Sequence, residues 1–407
     1  MWKKIIGIVI IINLMLINVS VIYADDENES ISEDDYIQVT SNDVIEEPKL
    51  NSRIAIAYDR KSGNVIWGKD ENKRSAMAST TKIMTSLILI ENADLTQTVT
   101  ISAKAGGTGG SRLGLKKNDK ITLKDLLYGL MLKSGNDAAV AIAETVGGSV
   151  EGFSDMMNAK AKELGLENTH YVTPHGLDNP DHYTTAYELA KLADYALNNE
   201  TFAKVVNTKS YTVIINGYPK TISNTNELLG YLEGVNGVKT GFTNNAGRCL
   251  VTSVNRNGFE IITVVLQADT KKFRTSDSIK LINYVYENYE LFNIKEVVDE
   301  KFNNWCQINQ NRIQVNKSNN NNNMKLYTSE LDNELIPIKK SDKDKVDVEI
   351  NNLFYFEAPV VKDETVGSLK VCLNNEIIDV LEIKNKETIE KKDIWDYVKI
   401  FAYEFCN

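Results

Sequence analysis

The order of strand and helix signals along the chain constrains its fold more than any other feature. Ile54, Ile56 and Tyr58 share one strand parity, and Val65 and Trp67 resume after residues 59–64, which predicts a hairpin with a Gly63-Asn64 turn. Helical patterns follow. Residues 83–90 are apolar almost all round, as in a buried helix. Thr122 with Asp125 three residues on reads as a weak capping box opening a helix over 123–132. Further helices are expected over 138–144 and 152–164. Strand patterns return at 248–254 and 259–267, and Thr275 or Ser276 is expected to cap a long helix from Asp277 to about Leu291. Strands at both ends thus bracket a helical middle. Such a chain closes most simply as an α+β domain, an antiparallel sheet of about five strands with helices against it, the first hairpin joining the last three strands.

At 407 residues the chain is long for one core. A boundary is expected near Lys295, beyond which the chain turns strand-rich and polar, with strand candidates at 346–350 and 367–373 and an Asn run at 319–323 that reads as a loop. Residues 393–405 form an amphipathic aromatic helix at the C-terminus. At the other end, Lys3 and Lys4 precede an apolar run to Ile22, and Ala24 precedes Asp25, the layout of a signal peptide cleaved after Ala24. An uncleaved anchor is the alternative, and either way the remainder faces outward. Residues 25–48 hold ten acidic and no basic side chains, a solvated tether. The expected division is therefore signal peptide 1–24, acidic linker 25–49, catalytic domain 50–295, β-rich domain 296–385 and amphipathic helix 386–407.

A formal net charge of −10 offers no bulk attraction for nucleic acid. Cys249, Cys306, Cys372 and Cys406 show no CxxC spacing, and His170, His175 and His182 match no zinc motif. Neither a metal nor another cofactor is expected.

Three short motifs carry chemistry. Ser79-Thr80-Thr81-Lys82 places a Lys amine on the same helical face as a Ser hydroxyl, which is a poor nucleophile until a base takes its proton. A Lys can be that base when burial and a neighbouring cation lower its pKa. Ser79 at a helix front would also lie near backbone N–H groups that favour an oxyanion. Ser134-Gly135-Asn136, in the break between two helices, supplies a hydroxyl for proton relay and an amide to orient a peptide group. Lys239-Thr240-Gly241 offers a cation and a hydroxyl for a carboxylate, and a glycine that lets an extended substrate approach a strand edge. Alone, each triplet says little: Lys-Ser-Gly-Asn occurs both at 61–64, read as turn chemistry, and at 133–136.

In this order, each in the element its chemistry needs, the three motifs resemble those of the penicillin-recognising serine enzymes. Within that group the chain is similar to the low-molecular-mass penicillin-binding proteins that are D-alanyl-D-alanine carboxypeptidases. The resemblance covers residues 52–291, supported by Leu132 to Asp137, by Gly237 to Thr243 and by Asn168 to Leu177, where His175 is expected to be structural. Ala358-Pro359-Val360 and Val366-Gly367 resemble their small β-domain, and the terminal helix resembles their membrane anchor.

The resemblance implies a role for each residue. Ser79 attacks the carbonyl between the terminal D-alanines of a peptidoglycan stem peptide, with Lys82 as general base. The backbone N–H groups of Ser79 and Phe242 form the oxyanion hole. Ser134 passes a proton to the leaving D-alanine and Asn136 orients the substrate amide. Lys239 and Thr240 bind the terminal carboxylate, with Arg274 a further candidate, and Gly241 leaves room. Water then hydrolyses the acyl-enzyme, and β-lactam antibiotics are covalent inhibitors. A β-lactamase would add a deacylating carboxylate in a Glu-x-x-Leu-Asn segment, for which the chain has only Asp194 to Asn198 on a helical pattern. A catalytically silent peptidoglycan-binding protein is the reading from another class, and Ser79, Lys82, Ser134 and Lys239 argue against it. The expected location is extracytoplasmic, on the outer face of the cell membrane.

Overall fold

A computed structural model describes residues 46–319 and 324–406. The signal peptide, nearly all of the acidic tether and most of the Asn run lie outside the described residues. The described chain divides into two compact units, one reaching Tyr58 and running from Val65 to Asn283, the other comprising Asp59–Asn64 and the chain from Tyr284 on.

In the first unit, strands β1 (Ile54–Asp59), β2 (Val65–Lys69), β3 (Val235–Thr243), β4 (Gly247–Arg256) and β5 (Phe259–Ala268) form one sheet in the order β2-β1-β5-β4-β3. The first hairpin joins the last three strands, as the strand parity predicts. β4 and β5 pair antiparallel from Arg248–Ala268 to Arg256–Phe259, and β3 pairs with β4 so that Phe242 faces Arg248. The helices include α1 (Lys82–Asn92), α2 (Leu123–Leu132), α3 (Asn136–Val146), α4 (Val150–Glu163) and α5 (Ala186–Leu197). α1 runs through the core: every residue from Lys82 to Leu89 is buried. Truncating one of its large side chains, such as Leu87, costs roughly 2–5 kcal/mol through the cavity left. The Thr122 cap is present, its hydroxyl accepting from the Asp125 N–H at 3.0 Å.

Three expectations give way. Ser79 does not open an α-helix but sits in a 3-10 turn, Ala78–Thr81, that leads into α1. The long helix α6 runs from Lys271 to Asn288, because Thr270 rather than Thr275 or Ser276 accepts from the third N–H, that of Phe273, at 3.1 Å. It stops before Leu291 because Tyr289–Asn293 is a strand, paired antiparallel with Leu335–Lys339. Third, helix α7 (Ile294–Asn309) stands where the chain was expected to turn strand-rich at once. The side chain of Asn293 accepts from the Lys295 N–H at 3.1 Å, and Ile294, Val298 and Phe302 recur every four residues on its buried face.

That face belongs to the second unit's own core, with Leu369, Val371 and Ile383. These come from a four-stranded sheet ordered Leu326–Thr328, Glu376–Asn385, Thr365–Leu373, Val346–Asn352, which contains both expected strands. The final helix α8 spans Ile394–Cys406. Asp393 accepts from the Asp396 N–H at 2.8 Å while Asp396 accepts from the Asp393 N–H at 3.1 Å, a reciprocal cap.

Candidate active site

The 3-10 turn brings Ser79 and Lys82 together, since residues three apart eclipse in that geometry. Lys82 Nζ lies 2.7 Å from Ser79 Oγ, 2.8 Å from Asn136 Oδ1 and 3.0 Å from the His175 carbonyl. The last two partners accept only. A neutral Lys82 amine therefore keeps both as hydrogen bonds and turns its lone pair to the Ser79 hydroxyl. Lys82 is fully buried.

Several side chains shape this turn. Ala78 and Ser134 both have positive φ, +48° and +58°, conformations that L-residues adopt at a cost of roughly 1–2 kcal/mol and keep only where packing holds them. The Thr81 hydroxyl donates to the Ala78 carbonyl at 2.7 Å and accepts from His182 Nε2 at 2.8 Å. His182 Nδ1 accepts from the Val172 N–H at 2.9 Å, so the ring is neutral with its proton on Nε2. Burial holds the pKa of His182 down at about 4 and that of His175 at about 3. Gly176, at φ +85°, closes over the turn so tightly that a Cβ would stand 1.9 Å from the Ala78 carbonyl oxygen. Neither His182 nor Gly176 figured among the expected site residues. The Asn168–Leu177 segment is a sequence signal for Gly176, whereas His182 lies beyond it.

The second motif sits where α2 ends and α3 begins. Asn136 is tied at both ends, its Nδ2 donating to the Gly109 carbonyl at 2.8 Å and its Oδ1 accepting from Lys82. The adjacent Asp137, also missed, is fully buried and accepts from the N–H groups of Leu113, Gly114 and Leu115 at 2.8–2.9 Å. It thereby fixes the loop opposite the motif.

On the other side, β3 lies against the Ser79 turn. A Cβ on Gly241 would approach the Ser79 nitrogen to 3.1 Å, so any side chain there would press on the turn. Thr240 Oγ1 pairs with Thr225 Oγ1 at 2.7 Å. Lys239 is 1% exposed and donates to the Thr240 carbonyl at 2.9 Å. Between these elements opens a cleft of about 280 Å³, lined by Ser79, Ser134, Thr240, Gly241 and Phe242, and by Arg248 and Arg274. Lys82, Asn136 and Lys239 lie behind its walls. Asp194, the nearest match to a β-lactamase carboxylate, is half-buried on α5 and does not line the cleft.

Comparison with known proteins agrees with this geometry. Residues 38–270 match the family described as D-alanyl-D-alanine carboxypeptidase, and residues 310–391 match the C-terminal domain of penicillin-binding protein 5. The D-alanyl-D-alanine carboxypeptidase DacF of Bacillus subtilis is 33% identical over 357 residues, 86% of this chain and 88% of its own length. The crystal structure of the D-alanyl-D-alanine carboxypeptidase DacD from Francisella tularensis superposes with a TM-score of 0.69 at 27% identity, covering 87% of this chain and 98% of that one. Penicillin binding protein 5 from Haemophilus influenzae gives a TM-score of 0.68 at 26% identity, covering 86% and 100%. A buried Lys bonded to a Ser at the mouth of a cleft, on this fold and with these relatives, identifies the chain as a member of the D-alanyl-D-alanine carboxypeptidases, serine peptidases among the low-molecular-mass penicillin-binding proteins.

Proposed function

We propose that Ser79 is the nucleophile with which this carboxypeptidase removes the terminal D-alanine of a peptidoglycan stem peptide, and that Lys82 takes its proton. The 2.7 Å contact between Lys82 Nζ and Ser79 Oγ, beside Asn136 and His175 oxygens that can only accept, carries this reading. Ser134, on the opposite wall, returns a proton to the leaving D-alanine. Asn136 holds Lys82 and orients the substrate amide. The N–H groups of Ser79 and Phe242 receive the oxyanion. Thr240 meets the terminal carboxylate, the buried charge of Lys239 reinforces it, and Gly241 leaves the substrate room. The catalytic and β-rich domains are those expected above, with the inner boundary drawn back from 295 to Asn283–Tyr284, where the two compact units part.

A labelled penicillin, which offers a strained amide in place of the terminal peptide bond, acylates Ser79. Ser79→Ala removes the label while the protein stays folded. Label mapped by mass spectrometry to any other residue overturns the assignment.

The protein acts outside the cytoplasm after export by the 1–24 segment, and α8 holds it to the membrane surface. Ile394, Trp395, Phe401, Tyr403 and Phe405 are each more than 60% exposed, and thirteen residues reach only about 20 Å, short of a hydrocarbon core of roughly 30 Å. Among the described residues no helix is long and apolar enough to cross a membrane. An interfacial helix fits both facts, with Lys391, Lys392 and Lys399 near lipid phosphates. Truncation after Lys386 releases the protein from the membrane fraction and preserves penicillin binding. A truncated form that still pellets refutes the anchor.

A further inference from the structure

The stem peptide has a direction in the cleft. In the reading above, Thr240 meets its terminal carboxylate and the Phe242 N–H receives the oxyanion. The leaving D-alanine therefore lies toward Thr240. The acyl half runs the other way, past Phe242 toward Thr243, where β3 ends. An extended chain advances about 3.4 Å per residue, so the residue before the two D-alanines stands opposite Thr243 and the turn that follows.

The segment after His175 closes that end of the cleft. It starts at the His175 carbonyl, 3.0 Å from Lys82 Nζ. Leu177 lies beside Asn136, since a Cβ on Gly110 would stand 2.5 Å from Asn136 Nδ2 and 3.8 Å from Leu177 Cδ2. Asp178 then crosses to β3, its Oδ1 accepting from the Thr243 hydroxyl at 2.5 Å and its Oδ2 from the Asn245 N–H at 3.4 Å. The acyl half of the substrate leaves the cleft over this bridge.

Asp178 is exposed, and among the described residues no cation forms an ion pair with it. A groove of about 430 Å³ opens beside it, with Arg74 on the lining. Arg74 is engaged elsewhere. Its Nε and Nη2 donate to Asn168 Oδ1 at 3.1 Å and 3.0 Å, and its guanidinium carbon lies 4.8 Å from the centre of the Tyr183 ring. The donors that hold Asp178, a hydroxyl and a backbone N–H, are both neutral, so they fix its carboxylate in place without cancelling the charge. A fixed anion on the path of a flexible chain favours a cation on that chain.

We propose that Asp178 is a specificity-determining residue that receives a side-chain ammonium on the stem residue preceding D-alanyl-D-alanine. The proposal rests on the carboxypeptidase reading above.

The test uses the full chain and two peptides, Nα-acetyl-L-lysyl-D-alanyl-D-alanine and the same peptide with norleucine in place of lysine. Release of D-alanine gives kcat/KM for each. The wild type prefers the lysine peptide by about five-fold, the upper scale for an exposed ion pair. Asp178→Asn, which still accepts from Thr243, brings the ratio close to one. Asp178→Glu, with its charge kept, retains a preference for lysine. Should Asp178→Asn fail to fold, Asp178→Ser carries the same expectation. Equal losses on both peptides, leaving the ratio at its wild-type value, would show that Asp178 only props Thr243 and would overturn the proposal. A wild type indifferent to the amine overturns it too. A wild type that bears the penicillin label yet releases D-alanine from neither peptide refutes the carboxypeptidase reading itself, a different failure.

Discussion

Lys-Ser-Gly-Asn occurs twice in this molecule, and the two copies share nothing but their letters. At 61–64 the residues turn a hairpin. Ser62 gives its N–H at 2.7 Å and its hydroxyl at 2.5 Å to one oxygen of Asp59, Gly63 takes φ +74°, and the Asn64 carbonyl accepts from the Asp59 N–H at 2.9 Å. Each of these partners lies within five residues. At 133–136, Lys133 ends α2, Ser134 takes the positive φ, Gly135 caps α3 with φ −61°, and the Asn136 side chain reaches Lys82, 54 positions away. Even the residue that adopts the left-handed conformation has changed. A turn read locally needs the glycine's freedom at Gly63, whereas the strain at Ser134 is imposed by the packed helices on either side.

Substitution at matched positions should pull the copies apart. Asn136→Ala removes a partner of Lys82 and lowers the rate of penicillin acylation by about 10³-fold, within the range for a disabled general base. Asn64→Ala leaves that rate within a few-fold, because its backbone carbonyl makes the turn. Equal effects of the two changes would erase the distinction.

A glycine pair gives the next largest difference. Gly176→Ala forces a Cβ to 1.9 Å from the Ala78 carbonyl at φ +85° and should cost roughly 3 kcal/mol or more of stability, with loss of penicillin binding. Gly63→Ala places alanine at φ +74° in the hairpin turn and should cost about 1 kcal/mol without affecting acylation. Urea melts of the two variants measure both, and a mild Gly176→Ala would show that the turn under Ser79 can yield.

The smallest predicted effect is on pH dependence, and it belongs to the frame of the second copy alone. His182 is neutral when folded, its pKa lowered to about 4 from 6.5. The unfolded chain therefore binds more protons between those values. His182 contributes full stability above pH 6.5 and loses it as pH falls toward 4, on the order of 2 kcal/mol by pH 5. His182→Gln, able to accept from Val172 and donate to Thr81, should flatten the stability difference between pH 7.5 and pH 5. A slope unchanged by that substitution would assign the acid sensitivity elsewhere. The Asp59 carboxyl beside the first copy runs the other way. Burial raises its pKa, so its contribution is largest below the unfolded value of 3.8 and declines as pH rises through the folded one.

What could be read in the chain was local or periodic. The 54–69 hairpin, the all-round apolar α1 and the Thr122 cap follow from side-chain parity, 3.6-residue periodicity and a hydroxyl three residues from an amide. Where two local signals compete, tertiary packing decides between them. Thr275 and Ser276 are good caps, but Thr270 begins the helix, and Ile294, Val298 and Phe302 carry a helical repeat among mostly charged neighbours. The strand Tyr289–Asn293 was illegible for another reason: it is a strand because Leu335–Lys339, more than forty residues on, supplies its hydrogen bonds.

By itself the sequence determined which chemical groups the molecule owns and in what order: a Ser three residues from a Lys, a Ser-Gly-Asn between helices, and a Lys-Thr-Gly on a strand, within a chain whose patterns close one sheet from its two ends. Only the tertiary structure decided which groups face one another. Lys82 meets Asn136 and the His175 carbonyl across 54 and 93 residues, Gly176 presses on Ala78, and Arg248 lies over Phe242. Desolvation and close contact depend on what surrounds a side chain in space, and residues far apart in the chain supply most of that surrounding.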